Sequence, residues 1–196
     1  MNFEKYRHYY RARMFETFKR PDKAIEEYRL ALHYAPDFIK AASSLAYLHA
    51  SRDQFAEAEP CYLSLLRLRP NDADAYFNLG FVYDRQGKRE QAIAAFKEAV
   101  QRKPLLDRAW YGMGMAYAAL GQHDEAAKAL EEAARLQPMN THAWYALGMA
   151  YHHLNNPDKV KDIVLHLHRV GPLTCRQLIQ EAGRTDLAYL VKDMAV

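Results

Sequence analysis

AWYGMGMAYAALG (residues 109–121) is followed by AWYALGMAYHHLN (residues 143–155), so one phrase occurs twice at an offset of 34 residues. A catalytic site needs its residues once, whereas a stack of like supersecondary units needs the same packing residues in each; the repetition therefore points first to architecture. Carried outward, the same offset aligns Pro36, Pro70, Pro104, Pro138 and Pro172. The spacing predicts five units, 5–38, 39–72, 73–106, 107–140 and 141–174. With each unit numbered from 1 to 34, the third has Tyr76 at 4, Leu79 at 7, Gly80 at 8, Tyr83 at 11, Ala92 at 20, Phe96 at 24, Ala99 at 27 and Pro104 at 32. The fourth repeats this with Trp110, Met113, Gly114, Tyr117, Ala126, Leu130, Ala133 and Pro138. The fifth has Trp144, Leu147, Gly148, Tyr151, Val160, Val164, Leu167 and Pro172.

Positions 4, 7, 8 and 11 fall at i, i+3, i+4 and i+7, and positions 20, 24 and 27 at i, i+4 and i+7, so each unit reads as two amphipathic helices joined by a turn. Small residues at 8 and 20 let the two helices approach closely. Proline at 32 ends the second helix by its ring and its missing N–H. Gly87, Gly121 and Asn155 stand at position 15, where the turn asks for positive φ. Asn156 and Pro157 read as an N-cap and a first helical residue.

This pattern resembles the tetratricopeptide repeat family over residues 5–174. The resemblance implies an all-α, right-handed α-solenoid superhelix of about five helical hairpins, with the first helix of each lining a concave groove. Two units depart from it. The second lacks the aromatic at 4, where Ala42 stands, and carries Pro60 early in its second helix, which predicts a local kink. The first has His8 and Arg11 at positions 4 and 7, where an apolar side chain belongs, and is expected to be a solvated end unit, frayed or differently packed at its start. Residues 175–196 are expected to form a capping helix or helices, with Leu178, Ile179 and Ala182 as one stripe, a stop at Gly183, an N-cap at Thr185, and Leu187, Leu190, Val191 and Met194 as a second stripe.

Composition sets bounds on function. Of 196 residues half are apolar and 26% charged, with eight glycines and eight prolines, a globular and helix-favouring balance. The net charge of +3 is concentrated at the start, where Lys5, Arg7, Arg11, Arg13, Lys19 and Arg20 face only Glu4 and Glu16. The remaining 21 basic and 22 acidic residues nearly cancel, so the body is a poor trap for a phosphate backbone and nucleic acid is disfavoured as partner. Cys61 and Cys175 are too far apart for a C-x-x-C pair, and reduced thiols are the expectation. No leader-like or membrane-spanning apolar run is present, which predicts a cytoplasmic protein.

No nucleophile–base pair, metal-ligand spacing or phosphate loop emerges, so neither enzyme activity nor a cofactor is expected. His142, His152, His153, His166 and His168 cluster late, but adjacent and i, i+2 residues diverge on a helix and do not close on one metal. The informative residues are those the hairpin does not need. The resemblance implies that positions 2, 5, 6, 9, 12 and 13 face the groove. Position 5 is Tyr9, Ser43, Phe77, Tyr111 and Tyr145; position 9 is Arg13, Tyr47, Phe81, Met115 and Met149. The family commonly has asparagine at 9, so this groove is expected to be apolar and to bind an amphipathic helix or linear segment of another protein across Tyr9, Tyr47, Phe77, Phe81, Tyr111, Met115, Tyr145 and Met149. Arg13, Lys40, Arg85 and Arg108 then mark its polar rim, and Asn78 also belongs to the groove. The carboxylate clamp of the chaperone-adaptor branch would need Ser43, Tyr47, Asn78, Arg108 and Gly112 to be its lysine, asparagine and arginine set; only Asn78 and Arg108 comply. Two alternatives remain. Phe3, Tyr6, Tyr10 and Met14 form an apolar stripe that could make homo-oligomers by inserting into a neighbour's groove. The basic start with stacking aromatics is the feature that a nucleic-acid-binding solenoid would use.

Overall fold

The computed structural model describes residues 3–192. Among these the architecture is all-α: α1 (Phe3–Thr17), α2 (Pro21–Tyr34), α3 (Ile39–Ser51), α4 (Phe55–Leu68), α5 (Ala73–Arg85), α6 (Arg89–Arg102), α7 (Asp107–Ala119), α8 (His123–Leu136), α9 (Thr141–His153), α10 (Pro157–Val170), α11 (Pro172–Glu181) and a 3-10 segment Thr185–Val191. The first ten pair as five hairpins of a tetratricopeptide-type solenoid. The chain divides into two compact units, Met1–Arg102 with three hairpins and Lys103–Val196 with two hairpins and α11.

The hairpins share one turn. The residue at position 15 has positive φ in all five: Lys19 (54°), Asp53 (57°), Gly87 (77°), Gly121 (73°) and Asn155 (53°). The next N–H returns each time to the carbonyl at position 11: Arg20 to Phe15 at 2.8 Å, Gln54 to His49 at 3.0 Å, Lys88 to Tyr83 at 2.9 Å, Gln122 to Tyr117 at 3.0 Å and Asn156 to Tyr151 at 3.0 Å. This six-to-one bond closes the first helix and aims the chain into the second. Lysine and aspartate accept the left-handed conformation because that bond and the packing of both helices fix it. The Asn156 side chain caps α10, accepting from Lys159 N at 3.2 Å, and Asp72 caps α5, accepting from Ala75 N at 3.0 Å.

Within the first unit α1 is not frayed. It runs intact from Phe3, and its two buried residues are His8 and Ala12. His8 Nδ1 lies 2.6 Å from Glu27 Oε2, and Arg11 Nη2 lies 3.0 Å from Glu27 Oε1, so the two polar departures from the repeat are answered by a third. The helix α4 continues through Pro60, which helps line an apolar hollow of about 320 Å³ with Leu32, Pro36, Leu45, Cys61 and Leu68. Burial raises the Cys61 thiol pKa.

In the second unit α11 covers the end of the last hairpin. Cys175, Leu178 and Ile179 are buried, and a Cβ at Gly148 would fall 2.6 Å from Leu178 Cδ2. This cap starts at Pro172, so that proline opens a helix as well as ending the repeat. The expected second capping helix is instead a 3-10 segment: Thr185 is its first residue rather than a side-chain cap, and only Leu187 is buried. One buried side chain gives too little packing to hold a longer α-helix. Met194 lies outside the described residues.

Candidate partner-binding surfaces

In the first unit α1, α3, α4 and α5 enclose an open hollow of about 450 Å³. Most of its lining comes from groove positions of the repeat: Arg13, Glu16, Ser43, Ser44, Tyr47, Asp74 and Asn78. The hollow is more polar than the sequence suggests. Arg13 Nη1 bonds Glu16 Oε2 at 3.2 Å, Tyr28 Oη donates to the same oxygen at 2.5 Å, and Arg69 pairs with Asp72 at 3.1 Å. Burial is the main cause of the raised Tyr28 and Tyr62 phenol pKa values. Of the expected residues Arg13, Tyr47 and Asn78 meet here. Tyr47 is 64% exposed and offers its ring to solvent.

The other expected residues of this unit are distributed elsewhere. Phe81 is exposed, its ring edge-on to Phe55 at 6.1 Å, and Arg85 lies 5.5 Å above Phe55 and 3.9 Å from Asp53. Phe77 is half-buried against Phe96 at 5.9 Å, and Tyr9 is half-buried between Tyr28 and Phe38. Lys40 stands exposed in the first turn of α3. Phe3, Tyr10 and Met14 are well exposed on α1, joined by Phe18, while Tyr6 packs edge-on against Phe38 at 5.3 Å.

In the second unit Met115 is exposed, and Tyr111, Tyr145 and Met149 are half-buried because they also pack against the core of that unit. Burial raises the Tyr111 phenol. Tyr145 is pushed up to about 12, first by burial and then by the hydrogen bond it donates to Glu181 of α11; that bond in turn holds the Glu181 carboxyl below its ordinary value. Arg108 lies exposed near the start of α7. Sequence reasoning missed Tyr62 and Leu65 of α4 and Arg69 at its C-cap, which reach the first unit's hollow from a second helix that the groove positions leave out. Among the described residues no group of three His, Cys, Asp or Glu side chains could hold a metal ion, and no helix is long and apolar enough to cross a membrane.

A tetratricopeptide repeat family model matches residues 44–107 and 111–159, more than half of the chain. The chain belongs to the tetratricopeptide repeat family. Repeats of this family are protein–protein interaction scaffolds. Solved structures with the same fold include MamA (19% identity, 100% of this chain and 99% of that chain covered, TM-score 0.80). YrrB, described as a tetratricopeptide repeat protein with an unusual peptide-binding site, is 20% identical over 90% of each chain with TM-score 0.77. PilF of Pseudomonas aeruginosa is 20% identical, covering 89% of this chain and 80% of that chain, with TM-score 0.72. Identities this low speak for the fold alone. No curated protein matches the chain.

Proposed function

We propose that this tetratricopeptide repeat protein is a non-enzymatic scaffold whose groove-facing positions hold an amphipathic segment of another protein. The observation that supports it most is the exposure of Tyr47, Phe81 and Met115 at position 9 of three hairpins, where the repeat asks for no packing residue. Exposed rings and a thioether at recurring sites are the composition of a contact surface. The polar hollow beside Tyr47 favours a segment with two faces, one apolar against the ring and one bearing hydrogen-bonding groups toward Ser43, Asp74 and Asn78. Arg13, Lys40, Arg85 and Arg108 supply charge around these positions. YrrB, which shares the fold, is described as having a peptide-binding site.

The test is capture of partner protein by the full chain and by a Tyr47→Ala/Phe81→Ala/Met115→Ala variant. All three side chains are exposed, so the fold should survive. A few anchoring side chains carry most of the energy of such an interface, and a combined loss of about 1.4 kcal/mol or more over the three would lower recovery at least about tenfold. Equal recovery by the variant would remove these residues from the interface.

A second reading, self-assembly, is favoured by Phe3, Tyr10 and Met14 on α1 and Phe18 in the turn after it, which are all exposed. Docked in a neighbour's groove, this helix would make head-to-tail oligomers. The apparent mass in light scattering should then rise with concentration in the parent chain and stay monomeric in Phe3→Ser/Tyr10→Ser. A parent that remains monomeric at every concentration excludes it.

A further inference from the structure

The second unit has an apolar feature that neither packing nor the groove explains. Leu105, Met139 and Leu173 are 72%, 71% and 76% exposed, among the most exposed large apolar side chains described. All three occupy position 33 of the repeat, directly after the proline that follows a second helix. At the same position the first unit has Asp37 and Asn71, so the turn itself does not require an apolar side chain. Packing falls to neighbours: Leu106 is 4% exposed beside Leu105, and Cys175 is fully buried two residues after Leu173.

Two of the turns are built alike, with Leu106 N bonded to Lys103 O at 3.0 Å and Asn140 N to Gln137 O at 3.0 Å, whereas Leu173 stands in the first turn of α11, where Cys175 N bonds Gly171 O at 2.9 Å. Their common repeat position, just past the end of a second helix, places the three side chains along one edge of this unit. Directly behind two of them stand both tryptophans of the chain. Trp110 donates its indole N–H to Pro104 O at 2.8 Å, and Trp144 donates to Pro138 O at 2.9 Å. The flanking charge is one-sided. Segments 103–108, 135–142 and 169–176 contain Lys103, Arg108, Arg135, Arg169 and Arg176, with His142, against the single acid Asp107. Arg135 also pairs with Glu132 at 2.7 Å; Lys103, Arg108 and Arg169 are exposed and Arg176 half-exposed.

From this arrangement we propose that the 105/139/173 edge of the second unit docks on an anionic lipid surface, the three apolar tips dipping between headgroups while the flanking cations meet lipid phosphates and carboxylates. Isolated apolar side chains on two turns and at a helix start, flanked by basic residues, suit insertion into the boundary of headgroup and acyl chain, where tryptophan is also at home. A partner helix would be served by a continuous apolar trough rather than by separate tips. This edge uses none of the exposed groove residues Tyr47, Phe81 or Met115.

The test is flotation of the full chain with vesicles of phosphatidylcholine and with vesicles containing about 30% phosphatidylserine, the anionic lipid whose surface potential attracts basic segments. Tryptophan fluorescence is a second readout, since both indoles stand at this edge. Binding to the anionic vesicles with a blue shift is expected, lost in about 0.5 M salt because the charges are then screened. Leu105→Ser/Met139→Ser/Leu173→Ser should bind at least about tenfold less, with an unchanged melting temperature because the replaced side chains are exposed. Lys103→Gln/Arg169→Gln should bind several-fold less, and the Tyr47/Phe81/Met115 alanine variant should bind as the parent does. No preference for anionic over neutral vesicles, or full binding by the serine variant, overturns the proposal. Capture of a protein by the parent but not by the serine variant, with no vesicle binding by either, would also overturn it and assign the edge to a protein partner.

Discussion

Glu27→Ala is expected to destabilise the first hairpin by about 3 kcal/mol, read by chemical denaturation. The carboxylate is buried between α1 and α2 and holds two groups at once, the His8 ring at 2.6 Å and the Arg11 guanidinium at 3.0 Å. Its removal leaves a 95% buried imidazole, stacked on Tyr34 at 5.5 Å, with its Nδ1 facing no acceptor from Glu27. Arg11 is half exposed and can turn to water, which keeps the loss toward the lower end of the range for a broken buried pair. His8→Leu/Glu27→Leu is the informative companion. It removes both polar groups and restores an apolar contact, so its stability should lie within about 1 kcal/mol of the parent. A double variant less stable than Glu27→Ala would show that the pair holds α1 by more than mutual satisfaction.

That pair also shows where the sequence can be read and where it resists. The repeat frame was legible because the proline recurs five times at one interval, with a helical period around it and a residue suited to positive φ at the turn of the last three units. His8 and Arg11 were legible as exceptions, but the remedy was not, because an exception is seen within one helix and its answer lies on another. A signal did exist. Glu27 stands at position 23, where the other units carry Cys61, Ala95, Ala129 and Ile163, so two unusual columns of one repeat compensate each other. The contact surfaces were legible only in part for a related reason. Position 5 of a first helix faces both the groove and the next hairpin, so Tyr111 and Tyr145 share their area with the core and only position 9 leaves Tyr47, Phe81 and Met115 clear. Polar groups of the first unit's hollow, such as Arg69, enter from the C-terminal end of a second helix, which a groove pattern drawn from first helices does not register.

Gly114→Val should cost about 3 kcal/mol or more and abolish cooperative unfolding of the second unit. Gly114 lies where α7 meets α8. A Cβ there would fall 2.6 Å from Leu130 Cγ and 2.9 Å from its Cδ2, with the Ala126 carbonyl oxygen 3.3 Å away. Leu130 is fully buried, so its side chain has no solvent to retreat into, and the carbonyl oxygen belongs to the backbone of α8. The two helices must separate. That opens the contact Gly114 was small enough to allow and unpacks Met113 and Ala126 on either side. Gly121→Ala separates this cause from glycine's conformational role. At Gly121 a Cβ meets nothing within 4 Å, but φ is +73°, so alanine there should cost only about 1 kcal/mol, through the backbone alone. If Gly114→Val were no worse than Gly121→Ala in a urea titration, the hairpin would not depend on close approach at position 8, and the small residue that recurs there would need another explanation.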